Sequence, residues 1–260
     1  MKARKHRLRL AAFQVAIVFA LLALPIAVNG QAPGGRGGQP PASAKASAPM
    51  DLTGYWVAEI TEDWRWRMVT PAKGDYQSIP ITAAAEKIAD AWDPAKDEAA
   101  GEQCKSYGAP GLMRAPSRLN ITWEDDNTLK VQSDYGMQTR LLHFGNWTAP
   151  NGPATWQGDS VAHWEIFAGR AGAAKAGTLA SATKHLRPGY LRKNGVPYSA
   201  NTALTEYWNL IKEINGEQRI LLLSIVEDPE YLQQPWTVPL HFKKEPNGAK
   251  WDPTSCSSKW

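Results

Sequence analysis

Cysteine is scarce in this 260-residue sequence, which contains only Cys104 and Cys256. Two cysteines exclude the dense disulfide frameworks of small secreted domains, and without a Cys-x-x-Cys motif they do not form the usual zinc or redox pair. The sequence also has no Gly-x-Ser-x-Gly elbow, no His-Glu-x-x-His motif and no glycine-rich phosphate loop between a strand and a helix. The sequence therefore leaves open whether the protein is an enzyme.

Excess positive charge is absent outside the first residues. The whole chain has 29 Lys and Arg against 25 Asp and Glu, a net charge of +4. Five of the bases and none of the acids lie within residues 1–30, so the remainder has a net charge of −1. A nucleic-acid-binding surface needs clustered bases that neutralise phosphates. We therefore expect no nucleic-acid partner.

The N-terminus has the pattern of a secretion signal. Its basic residues end at Arg9, an apolar run extends from Leu10 to Leu24, and small residues follow Pro25. This order is typical of a cleaved signal peptide, and the run is shorter than the roughly 20 residues of a membrane-spanning helix. We predict a signal peptide at residues 1–30 and a periplasmic or secreted mature protein. A retained N-terminal membrane anchor is the alternative.

The segment after the signal has almost no large apolar side chains. Residues 31–50 are mainly Gly, Pro, Ala and Ser, which bury too little apolar surface to offset the entropy of ordering, so they predict a disordered linker. One domain is expected at residues 51–260. In an oxidising compartment Cys104 and Cys256 are expected to form one disulfide, with two separate thiols as the alternative.

Alternating apolar and polar residues dominate from Asp51 onward and predict strands. The predicted strands cover residues 54–68, 118–123, 128–132, 137–144, 161–167, 178–185, 203–214, 219–226 and 236–242. Thr82 predicts the N-cap of one short helix at residues 83–92, and Asn215-Gly216 predicts a hairpin turn. The expected fold is mainly β, an antiparallel barrel of about eight or nine strands, with an open sandwich as the alternative.

Two sets of residues carry a resemblance to known proteins. Gly54-Tyr55-Trp56 resembles the Gly-x-Trp opening of lipocalin-like barrels, in which the Trp plugs the closed end. Motifs over most of residues 51–256 resemble an uncharacterised family of secreted bacterial proteins with a lipocalin-like β-barrel: Gly111-Leu112-Met113-Arg114 after Cys104, Thr139-Arg140-Leu141, Trp156-Gln157-Gly158-Asp159-Ser160, Trp164-Glu165, Thr205-Glu206-Tyr207 and Glu227-Asp228-Pro229. The resemblance implies secretion and a lipocalin-like barrel, and it implies no activity.

Arg140 and Glu206 are the first candidates for ligand binding. Side chains two residues apart on a strand point the same way, so Arg140 shares a face with Leu142, and Glu206 shares a face with Trp208. If these faces turn inward, a base and an acid lie in an apolar interior, where they must pair with each other or with a ligand. We predict that Arg140, Glu206, Trp164 and Trp208 contact a guest in the barrel. The alternative is a purely structural ion pair, or charges that face outward.

The segment 185–201 is the second candidate, because its Pro-Gly and Asn-Gly pairs predict a loop at the barrel mouth. His185, Tyr198 and Ser199 in this loop are predicted to contact or gate the guest, with a surface loop that has no role in binding as the alternative. The histidines of the mature chain lie on separate predicted strands without the spacing of metal ligands. We therefore predict no metal and no cofactor.

The function that these residues predict is the binding of a small apolar or aromatic molecule in the barrel. One alternative is an enzyme of the same shape, an isomerase, lyase or hydrolase that uses Glu206 or a histidine as general base. A further alternative is an envelope structural or interaction protein without a small ligand. The sequence indicates no membrane contact beyond the N-terminal segment, and it does not indicate an oligomeric state.

Overall fold

The computed structural model describes residues 42–167 and 176–258, and nine strands within these residues close into a barrel. The barrel strands are β1 (Gly54–Glu59), β2 (Arg118–Asp125), β3 (Thr128–Ser133), β4 (Gln138–Phe144), β5 (Asp159–Phe167), β6 (Ala176–Lys184), β9 (Ala203–Lys212), β10 (Gln218–Glu227) and β11 (Trp236–Lys244). Strands β7 (Gly189–Arg192) and β8 (Val196–Tyr198) form a separate hairpin. The predicted mainly β barrel is therefore confirmed. The predicted signal peptide at residues 1–30 lies outside the described residues.

One strand pairing departs from the predicted antiparallel arrangement. The order around the barrel is β1, β11, β10, β9, β6, β5, β4, β3 and β2, with β2 closing onto β1. The pair β4–β5 is parallel, whereas every other neighbouring pair is antiparallel. A parallel pair requires the chain to cross from one end of the sheet to the other, and residues 145–158 make this crossing. The barrel is therefore mixed.

The first strand is shorter than predicted. Strand β1 ends at Glu59, and residues 64–67 form the helix α2 (Trp64–Arg67), so the expectation of one strand over residues 54–68 is wrong beyond Glu59. The alternation of tryptophan and arginine suits a strand locally, but tertiary contacts decide against it. Arg67 Nε donates to the carbonyl oxygen of Arg114 at 2.9 Å, which anchors the helical turn to a distant part of the chain.

Part of the predicted linker is folded against the barrel. Residues 44–47 form the helical turn α1 (Ala44–Ser47), whose Ala44 N–H donates to Asn127 Oδ1 at 2.9 Å. The carbonyl oxygen of Ala44 accepts the indole N–H of Trp164 at 2.8 Å. These small residues pack closely because a neighbouring surface supplies their hydrogen bonds, and the domain boundary at residue 51 stays a prediction.

The predicted helix is confirmed, and it has short neighbours that the pattern did not indicate. Helix α3 (Ala83–Ala91) begins after Thr82, whose Oγ1 accepts the Ala85 N–H at 3.2 Å. Further short helices are α4 (Pro94–Ala99), a 3₁₀ turn (Lys105–Tyr107) and α5 (Ala109–Leu112). Each has six residues or fewer, so none is long enough to display a helical repeat of apolar residues.

Alternate side chains of the barrel strands fill its interior. The fully buried members are mostly large and apolar: Trp56, Leu119, Ile121, Leu129, Leu142, Leu179, Trp208, Ile220, Leu222, Val226 and Phe242. Burial of such a side chain contributes about 1.5–3 kcal/mol relative to exposure. The buried interior also contains polar residues, among them Arg140, Ser160, Ser181, Thr183 and Glu206.

The strand directions place several connecting segments at one end of the barrel. We call residues 60–117, 134–137, 185–202 and 228–235 the cap. The disulfide between Cys104 of the cap and Cys256 near the C-terminus confirms the predicted pairing. Among the described residues, no helix is long and apolar enough to cross a bilayer.

Candidate functional site

Arg140 and Glu206 lie inside the barrel and bind each other at two points. Arg140 Nη1 donates to Glu206 Oε1 at 2.9 Å, and Arg140 Nη2 donates to Glu206 Oε2 at 2.6 Å. Ser181 Oγ donates to Glu206 at 3.3 Å, and Arg140 also reaches Thr183 Oγ1 at 3.4 Å. Both side chains face inward, as the strand pattern indicates. Their contact with a guest stays a prediction.

Trp164 and Trp208 lie in one cross-strand row with Leu179 between them. Trp208 is fully buried, whereas Trp164 is half-buried and bonds to α1. Trp208 Nε1 and Arg140 Nε have no hydrogen-bond partner within the described part of the chain. The row places both tryptophans in the interior, and a guest that contacts them stays a prediction.

The segment 185–201 is more ordered than the predicted loop, because it contains the β7–β8 hairpin. His185 Nδ1 lies 2.8 Å from Asp159 Oδ2 near the surface. Tyr198 is fully buried, and Ser199 is bonded to Asp228. His185 and Ser199 thus have polar partners, whereas the Tyr198 hydroxyl has no hydrogen-bond partner in the described part of the chain. Contact between them and a guest stays a prediction.

Asp228 organises this side of the cap. Its carboxylate accepts hydrogen bonds from the backbone N–H and Oγ of Ser199, Oγ1 of Thr202 and the backbone N–H groups of Glu230 and Tyr231. Burial by itself raises the pKa of Asp228, but these donors outweigh it and hold the pKa below its usual value. Asp228 is therefore an ionised structural carboxylate that joins two cap segments.

The histidines do not gather into a metal site. His143 stacks on Trp147 with ring centroids 4.0 Å apart, and His241 Nδ1 lies 2.8 Å from Glu62. Within residues 42–167 and 176–258, no group of three or more His, Cys, Asp or Glu side chains is placed to hold a metal ion.

The cap contains a half-open cavity of about 270 Å³, which we call the cap cavity. It is lined by Trp66, Arg67, Met68, Val69, Thr70, Pro71, Ser106, Gly111, Arg114, Ala115, Pro116, Tyr135, Leu191, Arg192 and Lys193. Three of these residues, Arg67, Arg114 and Arg192, are buried arginines. Because buried arginine is rare without a partner, the contacts of each guanidinium group decide what the cavity can bind.

Protein contacts hold each of the three arginines in place. Arg67 Nε donates to the Arg114 carbonyl at 2.9 Å, and Arg114 Nη1 donates to Asp63 Oδ2 at 3.2 Å. Arg192 donates to backbone carbonyl oxygens of residues 75 and 77 at 3.3 and 2.8 Å. The guanidinium of Arg114 also lies over the ring of Trp236, 4.7 Å from its centroid. The three groups are therefore fixed before any ligand binds.

The cap cavity concentrates positive charge. Burial, followed by the positive charge of Arg114, lowers the pKa of Arg67 and of Arg192 to about 10. All three remain charged at neutral pH. Glu62 lies 3.6 Å from Arg67 and Asp63 pairs with Arg114, whereas Arg192 has no carboxylate within 4.0 Å in the described residues.

Each arginine of the cap cavity keeps an N–H group that no protein acceptor satisfies. Arg67 Nη2, Arg114 Nη2 and Arg192 Nε are buried and have no hydrogen-bond partner among residues 42–167 and 176–258. A buried donor without an acceptor costs about 1–3 kcal/mol, and more when it is charged. A ligand that supplies acceptors to these groups would therefore gain binding energy.

Lys193 and Tyr135 form a further part of the wall. The Lys193 amino group lies over the ring of Tyr135 at 4.3 Å and over the ring of Tyr107 at 5.4 Å. The two tyrosine rings are themselves 4.7 Å apart. Burial lowers the pKa of Lys193 to about 7. The cavity thus combines three fixed cations with one amine that exchanges its proton near neutral pH.

Sequence reasoning missed the cap cavity because its arginines come from three distant segments. Arg67 belongs to the segment predicted as a strand, Arg114 to a motif of the resemblance, and Arg192 to the predicted loop. The usable signal was Trp64-Arg65-Trp66-Arg67, where basic and aromatic side chains alternate. In the structure Arg65 and Arg192 lie over the ring of Trp66, at 5.4 and 5.8 Å.

Comparison of the chain with protein-family models, with curated proteins and with solved structures found no match.

Proposed function

We propose that this chain is an exported binding protein whose cap cavity holds a small organic anion with an apolar or aromatic body. The observation that carries the proposal is the set of three buried arginines, each with an unsatisfied N–H group, around one cavity. The proposal keeps the predicted class of guest, a small apolar or aromatic molecule, adds a negative charge to it and places it in the cap.

The arginines favour an anion with two or more acceptor oxygens. Guanidinium presents its N–H groups in a planar fork that matches carboxylate, phosphate or sulfonate, and charge-assisted hydrogen bonds are stronger than neutral ones. Like charges held close together in a buried site repel each other, so a bound anion relieves repulsion as well as satisfying donors. A neutral guest would do neither.

The remaining wall favours an apolar body. Met68, Val69, Pro71 and Leu191 line the cavity, and the ring of Trp66 forms one side of it. Drug-sized ligands occupy pockets of roughly 300–1,000 Å³. The volume of about 270 Å³ is slightly smaller, which suits a single aromatic ring that carries one acidic group.

Export is supported by two separate observations. The N-terminal residues have a basic, then apolar, then small-residue order, which is typical of secretion signals. The Cys104–Cys256 disulfide is of a kind that persists mainly in oxidising compartments. A periplasmic or secreted location is therefore part of the proposal.

The test is calorimetric titration of the mature protein with phenylacetate, phenylphosphonate and the neutral analogue phenylacetamide. We expect both anions to bind at least tenfold more tightly than the amide, with the difference shrinking at high salt. Arg114→Lys keeps the positive charge but loses the planar fork of guanidinium N–H groups. It should weaken phenylacetate binding about tenfold, which corresponds to the loss of one hydrogen bond to a charged group.

Arg187→Met is the matched control, because Arg187 lies in the cap and pairs with Glu102 but does not line the cavity. It should leave the affinity for phenylacetate unchanged. Equal binding of the amide and the anions, or no heat with any of the three, would overturn the proposal.

A further inference from the structure

Lys193 places a primary amine in the wall of the cavity that the arginines line. It directly follows Arg192, the last residue of β7, and lies in the turn that leads into β8. Its amino group lies against the faces of Tyr135 and Tyr107, and Tyr135 also lines the cavity. Side chains of neighbouring residues therefore offer an anion-binding fork and an amine to one half-open cavity.

We propose that the Lys193 amine forms an imine with the carbonyl group of a small oxo acid whose carboxylate is held by Arg67, Arg114 and Arg192. This inference rests on the proposed function, since it uses the same cavity and the same arginines. It adds the substrate class, a 2-oxo or 3-oxo acid with an apolar body, and a covalent step.

The chemistry needs an uncharged amine, and the burial of Lys193 provides one. A lysine that is desolvated or surrounded by cations loses its proton more readily and becomes nucleophilic. Because burial lowers its pKa to about 7, about half of the Lys193 amines carry no charge at neutral pH. Exposed lysines, with a pKa near 10.4, are almost entirely protonated there.

The step balances without any further reactant. The Lys193 nitrogen attacks the carbonyl carbon and forms a C–N bond, and the carbonyl oxygen leaves as water with the two protons of the amine. The product is a carbon–nitrogen double bond that takes up a proton to become an iminium ion. The faces of Tyr135 and Tyr107 attract cations and so favour this protonated form.

The anion site sets the selectivity of the step. An oxo acid reaches the amine only when its carboxylate is bound, so the arginines raise the local concentration of the carbonyl group beside Lys193. A simple ketone lacks this anchor. Lys105 provides an internal comparison within the cap, because it does not line the cavity.

Reductive trapping tests the inference. The mature protein is incubated at pH 7 with phenylpyruvate and cyanoborohydride, which converts an imine to a stable secondary amine, and the adducts are located by peptide mass spectrometry. We expect Lys193 to be modified at least tenfold faster than the exposed Lys250, and phenylacetone, which lacks the carboxylate, to give no such preference.

Three variants refine the result. Lys193→Arg should remove the dominant adduct, and Lys105→Arg should leave it unchanged. Arg114→Lys should slow modification of Lys193 about tenfold at low phenylpyruvate. Peptide mass spectrometry of the wild-type protein already compares the modification of Lys193 with that of other lysines. The test therefore does not depend on the folding of a variant.

The outcomes separate this inference from the proposed function. If phenylacetate binds but phenylpyruvate modifies Lys193 no faster than Lys250, the imine proposal is wrong and the anion site stands. If neither binding nor preferential modification occurs, both are wrong. Modification of Lys193 that is equally fast with phenylacetone would also overturn the inference, since the arginines would then play no part.

Discussion

Arg140 and Glu206 show how single buried charges constrain this molecule. Both are 1% exposed or less, and each is the main partner of the other. Removal of two charges from water costs several kcal/mol per ion, and only close pairing and further hydrogen bonds offset that cost. Removal of one partner therefore leaves an uncompensated charge, whereas removal of both does not.

Arg140→Met and Glu206→Leu are each expected to lower the free energy of unfolding by about 3–5 kcal/mol, because each leaves one buried charge unpaired. The double variant should be more stable than either single variant. Urea unfolding followed by tryptophan fluorescence measures all three.

Lys130→Met is the control for this cycle, since Lys130 pairs with Glu124 at the surface. Its effect should stay below about 1 kcal/mol. If Arg140→Met and Glu206→Leu lower the free energy of unfolding as little as this control does, an unpaired charge in the interior does not carry the expected cost.

The β7–β8 hairpin is the element that presents Arg192 and Lys193 to the cap cavity. Its turn includes Gly195, whose φ of +84° lies in the left-handed region that favours glycine. A β-carbon at this position would lie 2.4 Å from Trp92, so close packing leaves no space for a side chain. The turn between β9 and β10 offers a comparison, because Gly216 has a φ of +87° and open space around it.

Gly195→Ala is therefore expected to destabilise the protein by about 1–3 kcal/mol more than Gly216→Ala, which is the usual cost of overpacking. Both variants share the backbone strain, so their difference isolates the contact with Trp92. Thermal and urea unfolding of the two variants measure this difference. Equal losses of stability in the two variants would mean that the turn and Trp92 move to accommodate the added methyl group.

The barrel and the cap share one hydrophobic core across the described part of the chain. Tyr107, Leu112, Leu191 and Tyr198 of the cap belong to the same buried cluster as the interior residues of the strands. The Cys104–Cys256 disulfide adds a covalent link between chain segments 152 residues apart. A cross-link of this span mainly restricts the unfolded chain.

The double variant Cys104→Ser/Cys256→Ser should lose about 2–5 kcal/mol of unfolding free energy, according to the chain-entropy account of disulfides. Chemical denaturation of the oxidised wild type, the reduced wild type and the variant measures the loss. The reduced protein should match the variant. A loss well below 1 kcal/mol would show that the unfolded chain is already compact around these residues.

Local patterns in the sequence were sufficient for most of the barrel strands and for the helix after Thr82, whereas the inward direction of Arg140 and Glu206 was only one of the alternatives that they left open. Strand alternation and helix capping depend on residues close together in the chain, so they can be predicted from the sequence. The disulfide followed from composition, since only two cysteines were available.

Tertiary structure alone decided the parallel β4–β5 pair, the helical turn at Trp64–Arg67 and the cap cavity. Each depends on contacts between distant segments: a crossing of the barrel, the bond from Arg67 to the Arg114 carbonyl, and three arginines from different segments around one space. Such contacts leave no periodic trace in the sequence. The sequence determined a mainly β barrel in outline, and packing at one end of the barrel decided where positive charge is buried.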